Sequence, residues 1–293
     1  MTFEISLYLA LAACLAGLLW RAYQWFSIDI GPEPTGSVGQ RVLAAGSGLL
    51  GGIFSRRLLG SMLALVKDVL LQLHLLKAHP LKWAMHILIF WGFLLLLLGH
   101  AFDDEVTVHF FPDYASTLNP FFFLRNLLGV LVLTGVIIAL IRRLNLPPQR
   151  RVTAAADHLV LAIVAGIILS GFLLEASQIV SEPLFDEMVA DYHGDDPEEV
   201  AALKAVWARD YHVVFDPPAA VTDELLTTGS DLNEESCVAC HSRPTAAFAS
   251  LPLAWVLKRA APTLNRIRAD VWLWHLHYLL CFAGLALLPF TKL

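Results

Sequence analysis

Charge is what this sequence has least of. Only 16% of its 293 residues are Asp, Glu, Lys or Arg, against about 25% in an ordinary soluble domain. With 57% of residues hydrophobic and a mean hydropathy of +0.63, a water-soluble globular chain is excluded. A membrane protein with one sizeable polar excursion is expected instead. Cysteine is also scarce. Of four, Cys14 and Cys281 sit in apolar runs and only Cys237 and Cys240 are close in sequence, so no disulfide framework is indicated. Basic residues are missing from the start, where Met1 to Ser6 holds Glu4 and no Lys or Arg. A secretory signal peptide wants a basic beginning. The first apolar run is therefore expected to be retained as a span, although Leu11-Ala12-Ala13-Cys14 has the look of a lipoprotein cleavage box. Internal repeats are missing too, and no nucleic-acid partner is expected.

What is present is apolar sequence in blocks. A membrane helix needs about 20 apolar residues, and five stretches qualify: 4–26, 82–102, 120–142, 155–176 and 271–290. The net charge of -6 hides a segregation by loop. Arg41, Arg56, Arg57, Lys67, Lys77 and Lys82 fall between the first and second stretches, and Arg142, Arg143, Arg150 and Arg151 between the third and fourth. The loop between the second and third holds Asp103, Asp104, Glu105 and Asp113. The positive-inside rule then places the N-terminus in the periplasm and the C-terminus in the cytoplasm of a bacterial inner membrane. Lys258, Arg259, Arg266 and Arg268 run against this, but long loops translocate largely regardless of charge. The expected fold is an all-α five-helix membrane bundle, 1–176 and 271–293, with a mostly helical or irregular periplasmic insertion over 177–270. Within the insertion, Pro197 to Asp210 has helical apolar spacing with acids in its first turn. Residues 38–79 are interrupted by Gly39, Gly46, Gly48, Gly51, Gly52 and Gly60 and are not expected to span. Leu63 to His74 suits an amphipathic helix on the cytoplasmic surface.

The chemistry lies in one motif and in buried histidines. Cys237-Val238-Ala239-Cys240-His241 reads C-x-x-C-H, the attachment sequence of a c-type haem. The two thiols would bond the haem vinyl groups and His241 would take one axial position. Its place in a loop assigned to the outside agrees with where bacteria attach such haems. A zinc site would want four ligands. For the sixth ligand, His212 and His193 are first choices, Met188 and His109 second, and an open iron remains an alternative. Ionisable residues inside spans are usually functional. His86 and His100 lie on the second span, fourteen residues apart, or roughly 21 Å along a regular helix and within about 40° of one face. That suits two stacked b-type haems. His277 is the expected partner of His100, with His275 on another side of the same helix, and His158 is level with His86.

These residues carry a resemblance. Met85-His86-Ile87-Leu88-Ile89-Phe90-Trp91-Gly92 through Gly99-His100, and His277-Tyr278-Leu279-Leu280 through Leu288-Pro289-Phe290-Thr291-Lys292-Leu293, resemble the gamma subunit of respiratory nitrate reductase and its relatives. Among those are the membrane cytochromes b of heterodisulfide reductase and of sulfite-reduction-associated complexes. The resemblance implies that His100 and His277 clamp one haem b and His86 holds another, whose usual partner lies two residues beyond the Lys-Leu. The sequence stops at Leu293, so either a longer chain supplies that ligand, or His158 does, or the haem is absent. It also implies electron exchange between a membrane quinone, taken as menaquinone, and a cytoplasmic iron–sulfur subunit. The c-type motif departs from the nitrate reductase pattern and reads as an added port, with a periplasmic cytochrome c as its partner. Arg125 and Glu175, at the outer ends of the third and fourth spans, are candidates for lining a quinone pocket. The expected function is thus that of a membrane cytochrome subunit of a respiratory redox complex. A haem sensor or assembly factor without quinone chemistry, and a proton-relaying transporter, are the rivals.

Overall fold

The computed structural model describes residues 2–28, 36–55, 58–145 and 155–291. Arg56, Arg57, Arg150, Arg151, Lys292 and Leu293, used above for topology and resemblance, lie outside the described residues. Among those described, all regular structure is helical. Five helices are long and apolar enough to cross a membrane: Thr2–Ser27, Pro80–Ala101, Phe121–Asn145, Ala156–Ile179 and Ala269–Phe290. They match the five expected stretches to within a few residues. A helix satisfies its own backbone hydrogen bonds, which is what lipid demands of a spanning segment. The first helix exposes Tyr8, Leu9, Leu19, Trp20 and Trp25, a surface that water would disfavour and lipid accepts. The chain is a multi-pass membrane protein.

The segment after the first span differs from expectation. Val38–Ile53 and Leu58–Leu70 are two helices bent by 100°, together apolar enough for a broken span or a re-entrant loop. The crossings therefore number five or six. Leu63 to His74 is not one amphipathic helix. A π-turn occupies Leu65–Leu70, Gln72 takes a left-handed backbone at φ 49°, and a new helix runs Leu73–Ala78. The glycines that argued against a span make no close packing: a Cβ at Gly46, Gly48, Gly51, Gly52 or Gly60 would meet nothing within 4 Å.

The chain divides into two compact units, one of residues 1–87, 135–164 and 279–293, the other of 88–134 and 165–278. In the first unit, Gly17 lets the first span approach the end of the fifth. A Cβ there would stand 2.6 Å from Pro289 Cγ. Arg21 Nε donates to the Pro289 carbonyl at 2.8 Å, and Phe3 lies 5.2 Å from Phe282, ring to ring. The Leu-Pro-Phe ending thus docks on the first span. Arg143 Nη1 donates to the Asp157 carbonyl at 3.0 Å, pinning the third span to the start of the fourth.

In the second unit, small residues again set helix contacts. Gly92 lies against Val132, and Gly129 against Phe172, where a Cβ would come within 2.7 and 2.6 Å. The insertion belongs wholly to this unit. Its helices are Glu182–Tyr192, Pro197–Val206, Asp223–Ser236, Ser250–Leu257 and Ala261–Arg266. The expected helix from Pro197 forms, capped by Asp196, whose side chain accepts from the Glu198 and Glu199 amides. It widens into a π-turn at Trp207–Tyr211. Helices Pro197–Val206 and Asp223–Ser236 touch backbone to backbone at Gly229, where a Cβ would collide with the Ala202 carbonyl oxygen. Around them Phe185, Val189, Leu203, Val206, Trp207, Tyr211, Val213, Phe215 and Cys237 form one buried core.

Candidate functional site

The C-x-x-C-H motif sits where this core opens. Helix Asp223–Ser236 ends at Cys237, and the chain turns tightly, with the Cys240 and His241 amides donating to the Cys237 carbonyl at 3.1 and 2.9 Å. Cys237 is buried and Cys240 exposed. Both, with His241, line a cavity of about 270 Å³ whose other walls include Met188, Tyr192, His193, Ser236 and Thr117. The His241 ring meets Trp207 edge-on at 5.5 Å. Trp207 stacks on Tyr211 at 4.2 Å, and its indole donates to Asn233 Oδ1 at 2.9 Å. Burial holds the His241 imidazole below its ordinary range, hence neutral near pH 7, which is the form that binds iron. Burial pushes the Cys237 thiol up. The turn is also tied to the 112–120 loop: Thr117 Oγ1 donates to the Cys240 carbonyl at 2.7 Å, and the Asn119 amide donates to Ser242 Oγ at 2.9 Å. A paired thiol set, a neutral imidazole and an adjoining cavity fit a covalently held haem.

His212 stands elsewhere. It follows the π-turn with a left-handed backbone at φ 68° and does not line the cavity. Its ring is held below its ordinary range by burial and by the charge of Lys258. His109 packs on Phe110 and is not a wall residue either. His193 and Met188 are.

His277 occupies a shaped seat on the fourth span. Gly171 faces the ring, 3.1 Å from Cε1 to the position of a Cβ, so any larger residue would displace it. Nδ1 lies 3.0 Å from Ser170 Oγ, and that hydroxyl donates to the Ile167 carbonyl at 2.9 Å. One hydroxyl carries one proton. With that proton engaged by Ile167, Ser170 Oγ is placed to accept from Nδ1–H, and the tautomer protonated there keeps Nε2 for a metal. His275 is used differently: its Nδ1 bonds the Val271 carbonyl at 2.7 Å, among Trp272, Trp274 and Tyr278. His100 lies in a π-turn, Leu97–Ala101, a feature frequent at functional sites. The regular 100° step therefore ends at Leu96, and the shared face calculated for His86 and His100 does not carry through the wider turn. The carbonyl beside it, that of Gly99, accepts from Thr107 Oγ1 at 3.3 Å and Tyr114 OH at 3.4 Å. His100 is within electrostatic reach of Arg125 and His277. In the first unit, His86 and His158 are both exposed along their helices. Among the described residues no group of three or more His, Cys, Asp and Glu is gathered to hold a bare metal ion.

Arg125 and Glu175 come together. Glu175 Oε2 takes Arg125 Nη2 at 2.6 Å and Nε at 2.8 Å, and Oε1 takes Asn126 Nδ2 at 2.6 Å. Asn126 is fully buried and accepts the Ala249 and Ser250 amides on Oδ1 at 3.1 and 3.2 Å, at the start of helix Ser250–Leu257. Arg125 Nη1 donates to the Ser116 carbonyl at 3.1 Å. Sequence reasoning missed Asn126, Ser170 and Gly171. An amide beside an arginine, or a Ser-Gly pair within a span, was the available sign.

No protein-family model matches the chain, and no solved structure matches it. Among curated proteins, it is 34% identical over 123 residues to a component of the dihydromethanophenazine:CoB–CoM heterodisulfide reductase of Methanosarcina thermophila, covering 38% of this chain and 44% of that one. The corresponding Methanosarcina barkeri protein is 32% identical over 117 residues, with the same shares. An EtfAB:quinone oxidoreductase of Syntrophomonas wolfei is 28% identical over 105 residues, 35% of this chain and 15% of that protein. The chain thus spans less than half the length of the curated relatives it matches. The heterodisulfide reductase side of the resemblance has support, and the chain is similar to parts of oxidoreductases.

Proposed function

We propose that the chain is the membrane cytochrome subunit of a respiratory redox complex in a bacterial inner membrane, with its N-terminus periplasmic and its C-terminus cytoplasmic. Cys237 and Cys240 would hold one haem c, with His241 as an iron ligand. His100 and His277 would hold one haem b, and His86 a second together with His158 or a residue beyond Leu293. Bound haem supplies reversible one-electron transfer, with a potential set by its ligands and burial. The protein's residues do the placing. Ser170 and Gly171 fix the His277 ring, Trp207 and Asn233 support the wall behind His241, and the Cys240–Thr117 bond ties the motif to the loop leading to Arg125. Electrons pass between a membrane quinone (menaquinone), a periplasmic cytochrome c and a cytoplasmic iron–sulfur subunit. The names of the relatives, which carry dihydromethanophenazine and quinone, support a lipid-soluble carrier. Arg125 and Glu175 form the polar edge of the carrier's site, oriented by Asn126. The observation that carries the reading is the gathering of both motif cysteines and His241 on one cavity.

Pyridine haemochrome spectra of the purified chain test it, with two b-type haems and one covalent c-type haem expected, all reduced by menaquinol in membranes. His100→Ala should remove one b-type haem and keep the c-type haem. A chain without haem, or a haem protein that menaquinol leaves oxidised, would refute it; the latter outcome describes a sensor.

A further inference from the structure

We propose that His193 supplies the second iron ligand to the haem attached at Cys237 and Cys240, from the cavity that His241 also lines. This rests on the attachment reading above. His193 closes helix Glu182–Tyr192, its amide donating to the Val189 carbonyl at 2.9 Å. Its ring is only 10% exposed and forms part of the cavity wall together with both cysteines and His241. Nδ1 lies 3.3 Å from the hydroxyl of Ser236, the residue before Cys237, so the ring is registered to the attachment motif itself. Nε2 is buried and makes no hydrogen bond. Its charged neighbour is the Glu199 carboxylate, 3.1 Å away. Glu199 is 49% exposed and can turn to water.

Buried polar nitrogens are nearly always satisfied. Here the contact is to a half-exposed carboxylate, which an iron bond to Nε2 would replace. With Nδ1–H donating to Ser236 Oγ, Nε2 keeps its lone pair for the metal, the arrangement usual for ligating histidines. The other candidates lack this combination. Met188 shares the wall, but a thioether is a weak acceptor that loses little when unpaired. His212 and His109 are not wall residues.

The test uses the full-length, haem-loaded chain. Near-infrared magnetic circular dichroism should report bis-imidazole ligation for the covalent haem. His193→Ala should keep one covalent haem per chain by pyridine haemochrome. Its reduced form should bind one carbon monoxide per covalent haem where the parent binds none, and added imidazole should reverse this. His193→Met, closer in volume, should raise the midpoint potential of that haem, because a thioether ligand raises it. Met188→Ala should change neither reading. The proposal is overturned if His193→Ala and His193→Met leave ligation and carbon monoxide inertness unchanged. It is equally overturned if the parent shows a thioether-to-iron charge-transfer band that Met188→Ala abolishes. A parent chain with no covalent haem overturns the attachment reading, and this with it, so the two failures are told apart by the haem count.

Discussion

The two compact units use their histidines differently. In the second unit, His277 is seated on Gly171 and oriented by Ser170, and His241 and His193 share a cavity wall. In the first unit, His86 and His158 are exposed along their helices, as His100 is in the second. The first unit directs its specific contacts to docking Pro289 and Phe290 against Gly17 and Arg21. A ring already oriented by hydrogen bonds behind it loses less freedom on binding a cofactor than one that is not. The difference teaches that, on the proposed reading, retention of two b-type haems should not be equal.

The sharpest way to break that comparison is to remove the ligands one at a time. His277→Ala should abolish one b-type haem, as read from the reduced-minus-oxidised spectrum, whereas His158→Ala should leave at least half of the haem held by His86. Complete loss in both would mean the units are equally prepared. A second test concerns the scaffold of the second unit. Glu175→Gln leaves the largely buried Arg125 beside a neutral amide, and breaking a buried pair typically costs about 3–5 kcal/mol. The thermal midpoint in detergent should fall markedly, with a raised menaquinol KM in whatever folds. Asn126→Asp would sharpen this, since it adds a second carboxylate beside Glu175. The smallest effect is expected from Ser170→Ala. Loss of the partner that orients a ligand weakens metal retention by roughly tenfold, so haem should wash out faster from the His277 site while the c-type haem count stays unchanged.

Much of the architecture was legible in the sequence because membrane helices are declared by length and apolarity alone. All five spans sit within a few residues of where hydropathy placed them. The helix from Pro197 was legible for a similar reason, since Asp196, Glu198 and Glu199 mark its start. The bent pair Val38–Ile53 and Leu58–Leu70 was not, because glycine lowers helix propensity without forbidding a helix where apolar neighbours favour one. Nor was the π-turn that contains His100, which shifts the helical phase there and has no signature in periodicity. Arg125 and Glu175 could be nominated singly. Their pairing, and the role of Asn126 between them, depends on two helices and a distant turn converging.

The sequence by itself determined the solvent this chain lives in, the number of its long helices, and which residues are candidates for redox chemistry, since these follow from composition and from side-chain type at fixed spacing. Only the tertiary structure decided that His277 sits against Ser170 and Gly171, that His193 and not His212 lines the cavity beside Cys237 and Cys240, and that Glu175 pairs with Arg125 and Asn126. Those are matters of direction and proximity, and residues 49 to 124 positions apart meet only once the helices have packed.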